Sequence, residues 1–164
     1  MRRRKDDSIL SACTTSPQTD FPPQEAHAFP PPSAGSDLVS ADNLFRFQSA
    51  VIRRLAQEES CIFIGRCADH VLAGTERLVR IFIYADMEAR IQRIREKGYY
   101  EEHEIARNIR RMDRERRDYH RYYTGKEWEN VENYDMMLNS GVLGTDGCVE
   151  CILSYLKIRG LYPA

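Results

Sequence analysis

Ser60-Cys61-Ile62-Phe63-Ile64-Gly65-Arg66-Cys67-Ala68-Asp69 is an apolar run that ends in glycine, arginine and, three residues later, a carboxylate. Apolar side chains at consecutive positions suit a strand covered on both faces, the pattern of parallel sheets packed between helices. In such sheets ligands gather at the carboxyl ends of the strands. Gly65 permits a turn or a close backbone approach there, and Arg66 presents a planar, permanently charged fork suited to phosphate or carboxylate. A strand followed by a solvated loop with an ordinary surface arginine remains the alternative on these ten residues.

The flanking sequence supports an α/β fold. Ser40 or Asp42 can cap a helix in which Leu44, Phe45, Phe47, Gln48, Val51, Ile52 and Leu55 share one broad face. After Arg66 a helical turn from Ala68 to Leu72 ends at Gly74, and Val79 to Ala85 reads as a second strand. Asp86 caps a helix from Met87 to about Lys97, which Gly98 stops. Asn133 to Ser140 reads as a third strand, and Thr145 or Asp146 opens a last helix that ends near Gly160. Strands alternating with helices in this way predict crossover units and a parallel sheet.

Glu101 to about Tyr123 is the most charged segment. Ile105, Ile109 and Met112, continued by Arg116 and Tyr119, form one thin stripe, and seven arginines fall between positions 107 and 121 against three carboxylates, Asp113, Glu115 and Asp118. A local positive field therefore remains. A solvated helix laced by opposite charges is the plain reading. Arginine in place of lysine points further, to Arg110, Arg111, Arg114 and Arg117 as forks for polyphosphate. Tyr119, Tyr122, Tyr123 and Trp128 add rings on which bases could stack. However, the charge is confined to one helix and the formal net charge is -1, so no nucleic-acid partner is expected. Thr124-Gly125-Lys126-Glu127 is not a phosphate-binding loop: His120 occupies the first glycine position, and Glu127 stands where Ser or Thr is required.

The chain has 164 residues, the size of one domain. Six of its seven prolines lie within residues 1–38, which carry no apolar period and are expected to be a disordered, proline-rich tail. The folded domain is then expected over 39–160. Basic residues at 2–5 are followed by Asp6-Asp7-Ser8 and not by an apolar core, and no long apolar run follows elsewhere, so neither export nor a membrane partner is expected. Five cysteines without a secretory signal fit reduced thiols in a cytoplasmic protein. Cys148-Val149-Glu150-Cys151 has half of a metal-site spacing, yet no second pair completes it, and two small buried positions are the better reading.

Taken in order, Ile64-Gly65-Arg66-Cys67-Ala68-Asp69, Arg80-Ile81-Phe82-Ile83-Tyr84-Ala85-Asp86, and Asp113-Arg114 with Arg116-Arg117 leading to Tyr122-Tyr123-Thr124-Gly125 resemble the cytidylate kinase-like family of nucleoside monophosphate kinases. The resemblance runs from about Asn43 to Arg159. It implies a three-layer α/β fold with a parallel sheet of the nucleoside monophosphate kinase type, and phosphoryl transfer from ATP to CMP or a related monophosphate. It further implies an acceptor site at Gly65, Arg66 and Asp69, and a helical lid over about 101–126 whose Arg110, Arg111, Arg114 and Arg117 stabilise the transferring group. ATP and magnesium are expected for the family. One departure is large: the family opens with a strand and a glycine-rich phosphate loop, and this sequence carries neither, so it looks N-terminally truncated and has no recognisable ligand for magnesium or for the donor phosphates. A nucleotide-binding remnant or fragment without turnover is therefore the alternative expectation.

Overall fold

The computed structural model describes residues 40–98 and 100–162, which fall into two compact units divided between Thr75 and Glu76. The proline-rich stretch 1–38 lies outside the described residues.

In the first unit, α1 (Ala41–Glu58) starts where Ser40 accepts a hydrogen bond from the Asn43 amide at 3.2 Å. Such a cap is worth about 1 kcal/mol. The buried face is narrower than the apolar spacing predicts: Phe45 and Ile52 are buried with Asn43 and Ser49, while Leu44, Phe47 and Val51 are exposed. Ser49 is tolerated there because its hydroxyl donates to the Phe45 carbonyl at 2.8 Å. α1 packs against the short helix α2 (Ala68–Val71), where Cys67, Ala68, Val71 and Leu72 are buried.

The buried strand expected at 61–64 does not form. Among the described residues these four pair with no other segment, and Ile62 and Ile64 are 93% and 91% exposed. The apolar pattern states what a strand would need on its two faces. A strand nevertheless exists only where a neighbour satisfies its amides and carbonyls.

In the second unit, β1 (Ile81–Tyr84) and β2 (Met136–Asn139) pair in parallel, with Ile81 beside Met136 and Tyr84 beside Asn139. The parallel pairing follows the strand–helix–strand rhythm, and the sheet has two strands among the described residues. Its register is locked at the entry, where Asp135 accepts from the Arg80 amide at 2.7 Å and from its guanidinium at 2.9 and 3.2 Å. Those bonds hold the Asp135 carboxyl below the usual carboxylate range. Alternation puts Phe82 and Tyr84 on one face. Phe82 meets Trp128 edge-on at 5.1 Å and Tyr134 at 5.0 Å, and the Tyr134 hydroxyl donates to the Trp128 carbonyl at 2.6 Å.

The helices α3 (Met87–Lys97) and α4 (Glu102–Thr124) connect the strands. Asp86 caps α3 by accepting from the Ala89 amide at 2.8 Å, and Gly98 ends it in the left-handed conformation, both as the sequence predicts. The buried stripe of α4 consists of Ile105, Ile109 and His120, whereas Met112, expected in it, is exposed. After a 3-10 turn at Val131–Asn133, β2 leads directly into α5 (Ser140–Ile158), which packs on the sheet. A break at Gly144 (φ 68°, ψ -178°) divides α5 into a first helical stretch from Ser140, which Asn139 caps at the Gly141 amide (2.9 Å) and which the sequence did not announce, and the helix expected to open at Thr145 or Asp146. Cys148 is buried and Cys151 half-buried, both as free thiols.

Candidate functional site

The first candidate group lies at Gly65-Arg66-Cys67, three successive residues in the left-handed region with φ of 70°, 57° and 54°. Glycine adopts this freely, but an L-residue with a side chain pays about 1–2 kcal/mol. What holds the turn is visible. The Gly65 carbonyl accepts from the Ala68 amide at 3.2 Å, the Cys67 carbonyl accepts from the amides of His70 and Val71 at 3.0 and 2.9 Å, and the Cys67 side chain is buried. Burial, followed by the Asp69 carboxylate, pushes the Cys67 thiol up to about 12. The outcome is an Arg66 that projects into solvent and has no hydrogen-bond or ion-pair partner among the described residues. Backbone held in such sparsely used conformations clusters at ligand sites. Gly65, Arg66 and Asp69 thus occupy one short corner, with Asp69 half-buried in α2.

The second group is on α4. Arg107, Arg110, Arg114, Arg117 and Arg121 recur at spacings of three and four and so share one exposed side of the helix. Two of them are tethered to the segment that follows: Arg117 to Glu129 at 3.6 Å and Arg121 to Glu127 at 3.1 Å. Among the described residues, Arg107, Arg110 and Arg114 have no partner, so three adjacent guanidiniums remain unneutralised. Arg111 stands apart from this row and is paired to Glu115 at 3.1 Å, while Arg116 turns to Asp113 at 3.3 Å. The structure therefore brings Arg110, Arg114 and Arg117 together and leaves Arg111 beside them.

The row is rigidly mounted. Arg90 of α3 forms a two-pronged pair with Asp113 of α4 at 2.7 and 2.8 Å, which, with help from Arg116 and Arg117, holds the Asp113 carboxyl below its usual range. At the base of the helix, Thr124 donates to the His120 carbonyl at 2.7 Å and accepts from the Lys126 amide at 3.1 Å. Buried His120 contacts the Lys126 carbonyl through Nδ1 at 3.2 Å.

A third feature has no counterpart in the sequence reading. At the carboxyl ends of β1 and β2, Ser140 donates to the Tyr84 carbonyl at 3.1 Å, and Arg93 of α3 donates to the Ser140 carbonyl at 3.3 Å. That sheet edge is where ligands of parallel sheets collect. Arg90 and Arg93 lie one and two turns beyond capping Asp86, a spacing that would have flagged both.

The model of the cytidylate kinase-like family matches residues 6–142. The match reaches upstream of Asn43, where the sequence resemblance starts, and stops just inside α5. Among solved structures, the chain is similar to an uncharacterized protein from Eubacterium ventriosum at 26% identity and a TM-score of 0.67, over 73% of this chain and 67% of that one. No curated protein matches it. No helix among the described residues is long and apolar enough to cross a membrane.

Proposed function

The chain belongs to the cytidylate kinase-like family, and from that premise we propose that it handles nucleotide phosphates of the reaction that passes a phosphoryl group from ATP to CMP or a related nucleoside monophosphate. The observation that carries this reading is the row of unpartnered guanidiniums at Arg107, Arg110 and Arg114 on a helix braced by Arg90 and Asp113. In this reading β1 and β2 belong to a three-layer sheet of the nucleoside monophosphate kinase type, and α4 is the lid.

Gly65, Arg66 and Asp69 serve the acceptor monophosphate. An oxygen of that phosphate bonds to the γ-phosphorus as the bond to the bridging oxygen breaks, and ADP departs. Charge spread over the equatorial oxygens is met by Arg110, Arg114 and Arg117, whose forks bind such oxygens in pairs. Arg111 contributes once its pair with Glu115 opens.

Among the described residues no side chain is recognisable as a magnesium ligand. Among the described residues no three His, Cys, Asp or Glu side chains are placed to hold a metal, and the sequence has no Gly-x-x-x-x-Gly-Lys-Ser/Thr. No step here runs through the metal. The same missing motif favours a second reading for this chain by itself: nucleotide binding without turnover.

Calorimetric titration with CMP and with ATP tests the assignment. Removing one charge-assisted contact costs about 1.5–3 kcal/mol, or roughly ten- to a hundredfold in affinity. Arg66→Ala should weaken CMP by that factor and Arg114→Ala should weaken ATP. Arg95→Ala, which removes an exposed pair with Glu102, should change neither. Unaltered affinities in Arg66→Ala and Arg114→Ala, or an equal loss in Arg95→Ala, would return these arginines to the solvated surface.

A further inference from the structure

Arg110, Arg114, Asp118 and Tyr122 follow one another on α4 at steps of four residues, and all are exposed. Residues so spaced form a single ridge along a helix. Its ends are about 18 Å apart at 1.5 Å of rise per residue. Phosphate chemistry accounts for the two arginines and leaves Asp118 and Tyr122 without a role. The structure also sorts the four rings that the sequence places near this ridge. Trp128 is half-buried and packs edge-on with Phe82 at 5.1 Å. Tyr119 and Tyr123 are half-buried and lean on each other at 4.7 Å. Tyr122 is 71% exposed, and its hydroxyl has no partner among the described residues. It meets the Tyr123 ring at 4.8 Å and 86°, a perpendicular contact that steadies it and leaves at least one of its faces open.

We propose that Tyr122 and Asp118 read the nucleoside of a ribonucleoside triphosphate: Tyr122 stacks on the base, Asp118 accepts from the ribose hydroxyls, and the phosphates run back along Arg114 and Arg110. The inference rests on α4 being a lid over the donor nucleotide and adds to it which residues select that nucleotide. The order of chemistry along the ridge is the order within a nucleotide: a ring face, an acceptor for hydroxyl donors, then guanidinium forks for phosphate. Each step of four residues advances about 6 Å, enough for one such part. A carboxylate repels phosphate, so Asp118 is out of place in a site for anions alone. Beside a ribose it falls between the base and the phosphates, where hydroxyl donors are. Stacking uses the face of a base and not its edges, so the site selects a ribonucleoside triphosphate whichever base it carries.

The pairing of charges on α4 agrees. At four-residue spacing Arg114 and Asp118 could form an ion pair, as Arg111 and Glu115 do at 3.1 Å. Instead both are unpaired among the described residues, which leaves each open to a ligand. Arg117 and Arg121, on either side of Asp118 in sequence, are engaged with Glu129 and Glu127 at 3.6 and 3.1 Å. A single-stranded nucleic acid would lay successive bases on successive rings. This ridge offers one open ring and one carboxylate, which suits a single nucleoside.

Calorimetric titrations of the full chain with ATP, with dideoxy-ATP, which lacks both ribose hydroxyls, and with inorganic tripolyphosphate test it. Tyr122→Ala should weaken ATP about five- to a hundredfold, the range for losing one base–aromatic stack, and leave tripolyphosphate unchanged. Tyr122→Phe should bind ATP as the wild type does. Asp118→Ala should weaken ATP by roughly tenfold, leave dideoxy-ATP no weaker, and tighten tripolyphosphate by removing a repelling charge from beside the arginines. Opposite signs for ATP and tripolyphosphate in one protein cannot come from misfolding. ATP affinity that falls in Arg114→Ala but is unchanged in either Tyr122→Ala or Asp118→Ala would overturn this inference and leave the lid reading standing. Failure of the wild type to bind ATP, or binding indifferent to Arg114→Ala, would overturn both. A single-stranded oligoadenylate that bound more tightly than ATP, with the same dependence on Tyr122, would make the ridge a nucleic-acid grip and overturn the assignment to a single nucleotide.

Discussion

Cys67 shows most directly what one residue position can and cannot disclose. Gly65 announces a turn in the sequence, and Arg66 an anion-seeking group, but nothing announces that Arg66 and Cys67 are themselves left-handed. Non-glycine residues enter that region only when tertiary contacts outweigh the local cost, and composition is blind to those contacts. The position has a chemical signature. With its thiol pushed up to about 12 by burial, only about one Cys67 in ten thousand is ionised at pH 8, and the thiolate is the reactive form. Cys61 is also raised, by partial burial and the Glu59 carboxylate, but it is exposed. Iodoacetamide at pH 8 should therefore modify Cys61 at least a hundredfold faster than Cys67, with Cys67 reacting only in denaturant. Mass spectrometry of timed digests that found both labelled together would show that the turn opens freely.

Between elements, the tie that matters most is Arg90 to Asp113, because it fixes the angle at which α3 presents α4. Asp113→Asn should destabilise the protein by about 1–3 kcal/mol, the cost of leaving a partly buried guanidinium without its partner. The pH dependence has a definite sign. Asp113 and Asp135 both titrate lower in the folded chain than in the unfolded one, where aspartate sits near 3.9. Unfolded chains thus take up protons first as pH falls. The stabilisation is complete above about pH 5 and is lost progressively through the depressed folded values. Urea midpoints measured from pH 7 to 3 should drop on the acid side, and less steeply in Asp113→Asn; parallel curves for both proteins would contradict this. Helix ends were legible at this scale where one residue dictates the geometry, as at Ser40, Asp86 and Gly98. The helix opening just after Gly144 was legible too, but the helical stretch before that break was not, since Gly141 and Gly144 read as breakers and only the Asn139 cap, set by the end of β2, explains it. The strand at 61–64 was misread for a related reason: apolar content reports a segment's appetite for burial, whereas hydrogen-bonding neighbours decide its state.

At the scale of the whole molecule, family membership and parallel pairing were readable because the ordered motifs survive in sequence. The division at Thr75 was not, since no proline or glycine cluster marks it. The expected behaviour of the purified chain follows from what its residues can supply. Arginines offset charge on a phosphoryl group, yet without loop amides to align the donor phosphates the reacting atoms drift, and about 1 Å of misplacement alone costs roughly a hundredfold. Kinases of this kind turn over at about 1–100 per second; ADP formation by this chain with ATP and CMP should remain at background. CMP-dependent turnover near one per second that is abolished in Arg114→Ala would contradict that expectation. Finally, among the described residues the unpaired stretch at 61–64 is a point of vulnerability. Proteases bind their substrates as extended chain and seek segments whose backbone bonds are not already committed. Phe63 stands in such a segment, flanked by two almost fully exposed isoleucines, while the aromatic residues of α4 are locked in helical turns. Among the described residues, a brief, dilute treatment with chymotrypsin should cut first after Phe63 and release a fragment beginning at Ile64, so this part of the chain carries a scissile point immediately ahead of Arg66.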